Sequence, residues 1–475
     1  MLKKILFVFL FSFIINAAFA QDMAKNRVII LTDIEADPDD TQSLVRLLLY
    51  ANQVDIEGIV ATTSCWHTSQ VNPESVKRVI KAYEKVQPNL LKHEKGFPEA
   101  EKLLKLVKSG LPKYGMEGVG KGMDSEGSDW IIKVLEEDDD RPLWISTWGG
   151  VNTLAQALYK IEKTKRKKEA RRLIAKLRVY TISDQDDSGI WIRNNFPELF
   201  YVVSPGDDYE TATWTGINTV VEDIDNTTIS NTWISENIQQ NHGPLGAVYP
   251  DVAWGVEGDT PAFLSLIPNG LNEAEHPEWG GWGGRYELYK PDFSKTKDGS
   301  SIVEIAPETR EIWTNANDNY TPYVPNSFGR AVKKAQKSFD GYKVTLWRWR
   351  DEFQNDFAAR MDWCQKDVDE ANHPPVPVLS HSNQITVKSG EYCALDAFDS
   401  FDPDGDSFSF LWFHYPEAGS YKQTINFVPE NAHNTGFTAP RVEKPETAHI
   451  ILKVSDKGEP NLTRYKRIIV TILPR

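Results

Sequence analysis

Cysteine is scarce in this chain and positive charge is outnumbered. The 475 residues include three cysteines, Cys65, Cys364 and Cys393, odd in number and far apart. That pattern implies no disulfide framework, even in an oxidising compartment. A thiol nucleophile at Cys65 is conceivable, but a small packed cysteine is the commoner state. Lys and Arg total 53 against 68 Asp and Glu, a net charge of −15, which argues against nucleic acid or an anionic membrane as partner. Beyond residue 20 no apolar run is long enough to span a bilayer.

The long apolar run that does exist opens the chain. Lys3 and Lys4 precede Ile5 to Phe19, and Ala18-Phe19-Ala20 stands before Gln21. This reads as a secretory signal peptide cleaved after Ala20, so the product is expected to be secreted or periplasmic and free of the membrane. No cysteine follows the cleavage site to carry a lipid. Losing Lys3 and Lys4 takes the net charge to −17. Tryptophan, by contrast, is abundant, with 15 residues, and favours a ligand with flat apolar faces such as a sugar.

The rest of the chain is organised around Leu31 to Leu49, LTDIEADPDDTQSLVRLLL. Following Val28-Ile29-Ile30, it reads as a buried parallel strand that stops at clustered carboxylates and enters a helix whose apolar face is Leu44, Val45, Leu47, Leu48 and Leu49. Asp33, Glu35, Asp37, Asp39 and Asp40 repel one another unless a cation lies among them, and a hard ion such as Ca²⁺ takes oxygen ligands of this kind. The plainer alternative is that Asp39 and Asp40 only cap the helix.

The pattern Asp33-x-Glu35-x-x-x-Asp39-Asp40 resembles the N-terminal signature of the nucleoside hydrolases, Asp-x-Asp-Pro-Gly-x-Asp-Asp. That resemblance implies an open α/β sheet with Ca²⁺ at its strand ends, held by Asp33, Glu35 and Asp40, with Asp39 on the sugar and Glu35 or Asp33 as general base. Two departures stand out: Glu35 replaces the family's second Asp, and Ala36-Asp37 replaces Pro-Gly. An extra methylene shifts the carboxylate, and errors of about 1 Å are catalytically expensive.

A second strand, Val54 to Ser64, leads to Ser64-Cys65-Trp66-His67, where the family carries Gly-Asn; Trp66 and His67 are candidate pocket residues. Helices are expected over 72–109 and 126–137. A third strand, Pro142 to Trp148, precedes Gly149-Gly150-Val151-Asn152-Thr153-Leu154-Ala155, which resembles the family's Gly-Pro-Leu-Thr-Asn-hydrophobic-Ala and places a ligand carbonyl at Asn152. The basic segment Lys163 to Arg172 reads as a solvated helix face. After the strand Leu177 to Ile182, the resemblance makes Asp186, Asp187 and Asn194 candidate sugar contacts, with turn chemistry as the competitor. Asp259, in Gly258-Asp259-Thr260-Pro261, matches the family's closing Ca²⁺ ligand, though it also suits a helix cap; Gly258 stands where nucleoside-cleaving members carry a His. Trp279 and Trp282, in a glycine-rich loop, suit a sugar-stacking lid or a loop folded onto the core.

These motifs together resemble an exported bacterial family described as cellulose-binding, with a nucleoside hydrolase-like domain followed by an immunoglobulin-like one. The expected layout is a signal peptide over 1–20, an α/β domain with helices on both faces of a mostly parallel sheet over 21–371, a Pro-rich linker over 372–377, and a β-sandwich over 378–475. Within the sandwich, Asp399 to Asp406 reads as a tight acidic turn or a structural Ca²⁺ loop. The expected function is a Ca²⁺-dependent glycosyl hydrolase acting on a saccharide or glycoside, with a non-catalytic polysaccharide binder as the alternative and a structural surface protein as a third.

Overall fold

The protein is seen in a computed structural model that describes residues 24–206, 209–292, 303, 306–325 and 331–475. The expected signal peptide and the start of the mature chain lie outside these residues. The N-terminal domain is built on an eight-stranded sheet. Its strands are β1 (Arg27–Thr32), β2 (Asp55–Ala61), β3 (Val107–Ser109), β4 (Leu143–Thr147), β5 (Leu177–Thr181), β6 (Phe200–Val203), β7 (Tyr286–Tyr289) and β8 (Ile312–Asn315). They lie in the order β3-β2-β1-β4-β5-β6-β8-β7, all parallel except β7 against β8. Every residue of β1 is buried, as expected of a central strand covered by helices on both faces.

Those helices are α1 (Asp39–Leu49), α2 (Pro73–His93), α3 (Ala100–Leu106), α4 (Glu126–Glu136), α5 (Asn152–Thr164), α6 (Lys167–Ala175) and α7 (Ser188–Asn195). One core packs α1 and α2 against β1 and β2, and a second packs α4 and α5 against the other face. The expected helix over 72–109 is interrupted: Gly96, at φ +96°, and Pro98 break it, and Val107–Ser109 joins the sheet instead.

Strand order reverses direction between β1 and β4. In an open parallel sheet, the crevice outside the carboxyl ends of two such strands is where ligands bind. The acidic stretch leaves β1 there, and Gly149-Gly150 leaves β4 beside it.

The C-terminal domain follows the expected sandwich. Strands Gln384–Lys388, Thr463–Leu473, Glu446–Asp456 and Phe408–His414 form one sheet, and Tyr392–Asp396 with Asn434–Thr438 forms another, with Trp412, Phe437, Ile450 and Val470 between them. The Asp402 loop is a tight turn: one Asp402 oxygen accepts from the Asp404 and Asp406 amides.

The two domains share a core. Leu411, Phe413, Tyr415, Ile451 and Tyr465 of the sandwich belong to the same buried cluster as α1 and the helix Arg350–Asp362. Arg467 reaches across to the carbonyls of Leu271 and Gly280. Asn372 and His373, at the head of the expected linker, are themselves buried.

Candidate functional site

At the end of β1 the chain turns tightly, with the Ala36 amide donating to the Asp33 carbonyl. Asp33, Asp37, Asp39 and Asp40 gather there, and Asp259 joins them from across the domain. Single oxygens of Asp37, Asp39 and Asp40 all lie within 4.8 Å of one another. Asp33, Asp40 and Asp259 are buried. Burial, and then the neighbouring carboxylates, push Asp40 and Asp259 well above the ordinary carboxylate range. Asp39 is raised in the same way, with Asp37 as its nearest like charge. Burial lifts Asp33 to about 6, against a hydrogen bond from Ser64.

The capping alternative is not what these side chains do. The residue before α1 is Pro38 and the one before the helical turn Pro261–Leu264 is Thr260; neither helix start has a side-chain cap. Asp40 instead accepts from the Thr32 hydroxyl. One oxygen of Asp259 is buried without a hydrogen-bond partner, which is costly unless something positive meets it. Five carboxylates, one with an orphaned oxygen, fit a hard divalent cation, which takes six to eight oxygens including waters. Asp37 belongs to this group, although the resemblance to nucleoside hydrolases offered no ligand at its position.

Glu35 is placed elsewhere. Its backbone is left-handed at φ +81° and its side chain leaves the pocket to pair with Arg78 at 2.6 Å on the surface. Ser75 and Arg78 hold its carboxyl below the usual range. The expectation that Glu35 is a metal ligand and base is therefore corrected. The turn that replaces Pro-Gly directs it outward, while Asp33 stays buried in the pocket.

The loop bearing Asp259 is fixed by Glu257, which sequence reasoning passed over. Glu257 is fully buried at φ +50°. It accepts from Arg46 of α1, from Tyr249 at 2.8 Å and from Thr260 at 2.9 Å, while its amide donates to Gln42. Arg46 also stacks on Phe357 at 4.0 Å. No local sequence signal links Arg46 to Glu257, because they are far apart in the chain.

The loop after β2 borders the pocket through Ser64 and His67, whose charged form would favour ionised Asp33. Trp66 is 50% exposed, and the Cys65 amide donates to the Gln185 carbonyl. Asn152, whose carbonyl is the expected ligand, is the first residue of α5 and is buried. Its carboxamide binds Thr62, Thr63 and the Lys113 carbonyl, and its amide donates to Asp186. Gly149 is the residue pressed against Asp33, where a Cβ would come within 2.5 Å of the carboxylate.

Asp186 and Asp187 are each held by hydrogen bonds to neighbouring groups. Asp186, lifted to about 6 by burial, ties Ser188 to Asn152, and exposed Asp187 accepts from the Met116 amide. Asn194 is exposed near the far end of α7 and accepts from Thr309. Trp282 is fully buried and packs edge-on against Phe353, so it offers no face to a ligand. Trp279 stacks on His276 and meets His449 of the sandwich. Nearby Glu275 pairs with Arg178 near the start of β5, which puts that loop at the opposite end of the sheet from Asp33. The glycine-rich loop is thus folded onto the core and the domain junction.

Trp214 is a pocket residue the sequence did not reveal. Its indole N–H donates to Ser183 and its ring meets Tyr209 edge-on. A Cβ at Gly258 would lie 2.6 Å from Asp39 and 2.9 Å from the Trp214 ring, so glycine there lets the ring stand beside the carboxylates.

The model for cellulose-binding Sde182, nucleoside hydrolase-like domain, matches residues 27–286. The chain belongs to that family. The model for the C-terminal domain of cellulose-binding protein Sde0182 matches residues 393–472. A solved structure, described as a nucleoside hydrolase-related hypothetical protein from Saccharophagus degradans associated with carbohydrate metabolism, is 36% identical. It covers 94% of this chain and 100% of its own, with a TM-score of 0.79. The effector protein XOO4466 superposes with a TM-score of 0.32 at 10% identity over 61% of this chain and 89% of its own, too remote to bear on the argument. No protein of curated function matches.

Proposed function

We propose that this Sde182-family protein is an exported, Ca²⁺-dependent hydrolase of glycosyl bonds acting on a saccharide or glycoside. The observation that carries the reading is the buried, unpartnered Asp259 oxygen beside Asp33, Asp37, Asp39 and Asp40. These five carboxylates would hold the ion. Bound Ca²⁺ supplies charge neutralisation, a grip on vicinal hydroxyls and a more acidic water. Asp33, buried beside the Ser64 hydroxyl, would take the proton of that water. The Ser64 hydroxyl orients it, while Gly258, in place of a His, leaves no general acid for a nucleobase at that position.

The second reading is a polysaccharide-binding protein without catalysis. The Glu35–Arg78 pair favours it, because the residue aligned with the family's base is turned away. It also accords with the family's description as cellulose-binding.

Turnover of a panel of glycosides and nucleosides by wild type, Asp33→Asn and Glu35→Gln separates them. For a hydrolase, Asp33→Asn is expected to lower kcat about 10²–10⁴-fold, with Glu35→Gln changing it little. For a binder, no substrate turns over and both variants keep their saccharide affinity. Efficient cleavage of purine nucleosides would overturn the saccharide assignment.

A further inference from the structure

The junction between the domains holds a cluster of rings that the acidic pocket does not use. His93 closes α2, Trp363 follows the helix Arg350–Asp362, and buried His373 opens the connection to the sandwich. The three rings stack on one another with centroids 5.1 to 5.3 Å apart. His93 Nε2 lies 3.0 Å from the Lys366 carbonyl, and His93 Nδ1 lies 3.0 Å from His373 Nε2. His373 Nδ1 lies 2.9 Å from the Asp404 carboxylate of the sandwich, which also accepts from the His373 amide at 2.6 Å.

The partners fix the protons. A carbonyl and a carboxylate only accept, so His93 Nε2 and His373 Nδ1 both donate. The bond between the rings needs a further proton on one of the two facing nitrogens. Two neutral imidazoles carry one N–H each, and this chain of bonds requires three in all. Without the extra proton, two lone pairs face each other across 3.0 Å; with a second one, two N–H groups do.

We propose that His93, His373 and Asp404 form a one-proton clamp that fastens the sandwich to the α/β domain most firmly at about pH 6.5 and loosens on either side. The native cluster holds one proton beyond its neutral rings. The same two histidines in the unfolded chain hold two well below about 6.5 and none well above it. The unfolded state therefore binds more protons on the acid side, where stability rises with pH, and fewer on the alkaline side, where it falls. Burial, ahead of its neighbours' charges, holds His93 below the ordinary histidine range, which leaves the shared proton on His373 beside Asp404.

The other charges around the cluster have partners of their own. Lys92 and Asp367, which both act on His93, pair with each other at 2.7 Å. Lys366 pairs with Asp362 at 3.0 Å, and Arg360, 4.8 Å over Trp363, pairs with Glu94 and Asp356. In the sandwich, Asp402 and Asp406 share the turn of Asp404. Asp456, lifted to about 6 by burial, accepts from Asn372.

Denaturant unfolding of the full chain from about pH 5 to 8 tests the clamp. Each protein is read against the double variant His93→Gln/His373→Asn, so that the pocket carboxylates and Asp456 cancel. Wild type is expected to trace a peak at about pH 6.5, its unfolding constant changing by up to about tenfold per pH unit on each limb, the value for one proton. His93→Gln, whose amide oxygen can accept the same bond, is expected to keep the alkaline limb and lose the acid one; His373→Asn is expected to do the reverse. A flat or one-sided wild-type curve, or single variants that keep both limbs, would overturn the clamp. If a variant does not fold, ¹⁵N-histidine spectra of wild type at about pH 6.5 decide the matter, the two rings being assigned by their contacts to the Trp363 indole. One ring protonated on both nitrogens and one neutral ring are expected; two rings each half-charged would sink the proposal.

Discussion

Stripped of metal, the protein is expected to lose thermal stability as pH rises from about 4 to 8, and millimolar Ca²⁺ is expected to restore it. The sign follows from the direction of the shifts. Asp33, Asp39, Asp40 and Asp259 are all raised in the folded state, so folding favours their protonated forms. The native state carries no penalty from them below the unfolded value near 3.8. Stability then declines as pH climbs through the raised folded values, around 6 for Asp33. Lifting Asp33 from 3.8 to about 6 corresponds to roughly 3 kcal/mol, a loss of several degrees in Tm. A bound cation removes the penalty, so Ca²⁺ should stabilise most at pH 8 and least at pH 5. Asp40→Asn deletes one charge from the group. It should melt higher than wild type in chelator at pH 8 and gain nothing from Ca²⁺. Scanning calorimetry in chelator and in Ca²⁺ checks both statements; a wild-type Tm that ignores Ca²⁺ at pH 8 would show the carboxylates hold no such ion.

The second large effect is expected at Arg46→Met. Arg46 and Glu257 are both fully buried and paired, and removing one partner of such a pair costs about 3–5 kcal/mol because the other charge is stranded. Denaturant unfolding measures the loss. The double variant Arg46→Met with Glu257→Gln should recover much of it, since no unpaired charge remains. Ca²⁺ affinity should fall in both, because Glu257 fixes the loop that delivers Asp259. Full Ca²⁺ affinity in Arg46→Met would show that the loop holds its shape without the pair.

Much of the fold was legible because its signals are local. The buried run before Asp33, the turn after β4 and the alternating strands after residue 383 each carry their own periodicity. The pocket was legible where spacing along one segment fixes it, as with Asp33, Asp39 and Asp40, and where a motif recurs, as with Asp259. It was misread where one backbone angle decides. Nothing in Asp-Ile-Glu-Ala announces that Glu35 adopts φ +81° and faces Arg78. It was left open where burial decides, since a Gly-rich loop with Trp282 reads equally as a lid or as core. Trp214, Arg46 and Glu257 were missed because their importance lies in long-range contact, which periodicity does not encode.

The core shared by the two domains makes the sandwich less an accessory than a wall of the same building. Tyr465 lies within ring contact of Trp349, and Tyr415 gives its hydroxyl to Asp318. Cutting the chain near Pro374 would therefore bare an apolar face on each half, and transplanting the sandwich onto another enzyme would carry half an interface with it. For anyone recombining carbohydrate-active proteins, the interchangeable unit here is the whole two-domain body.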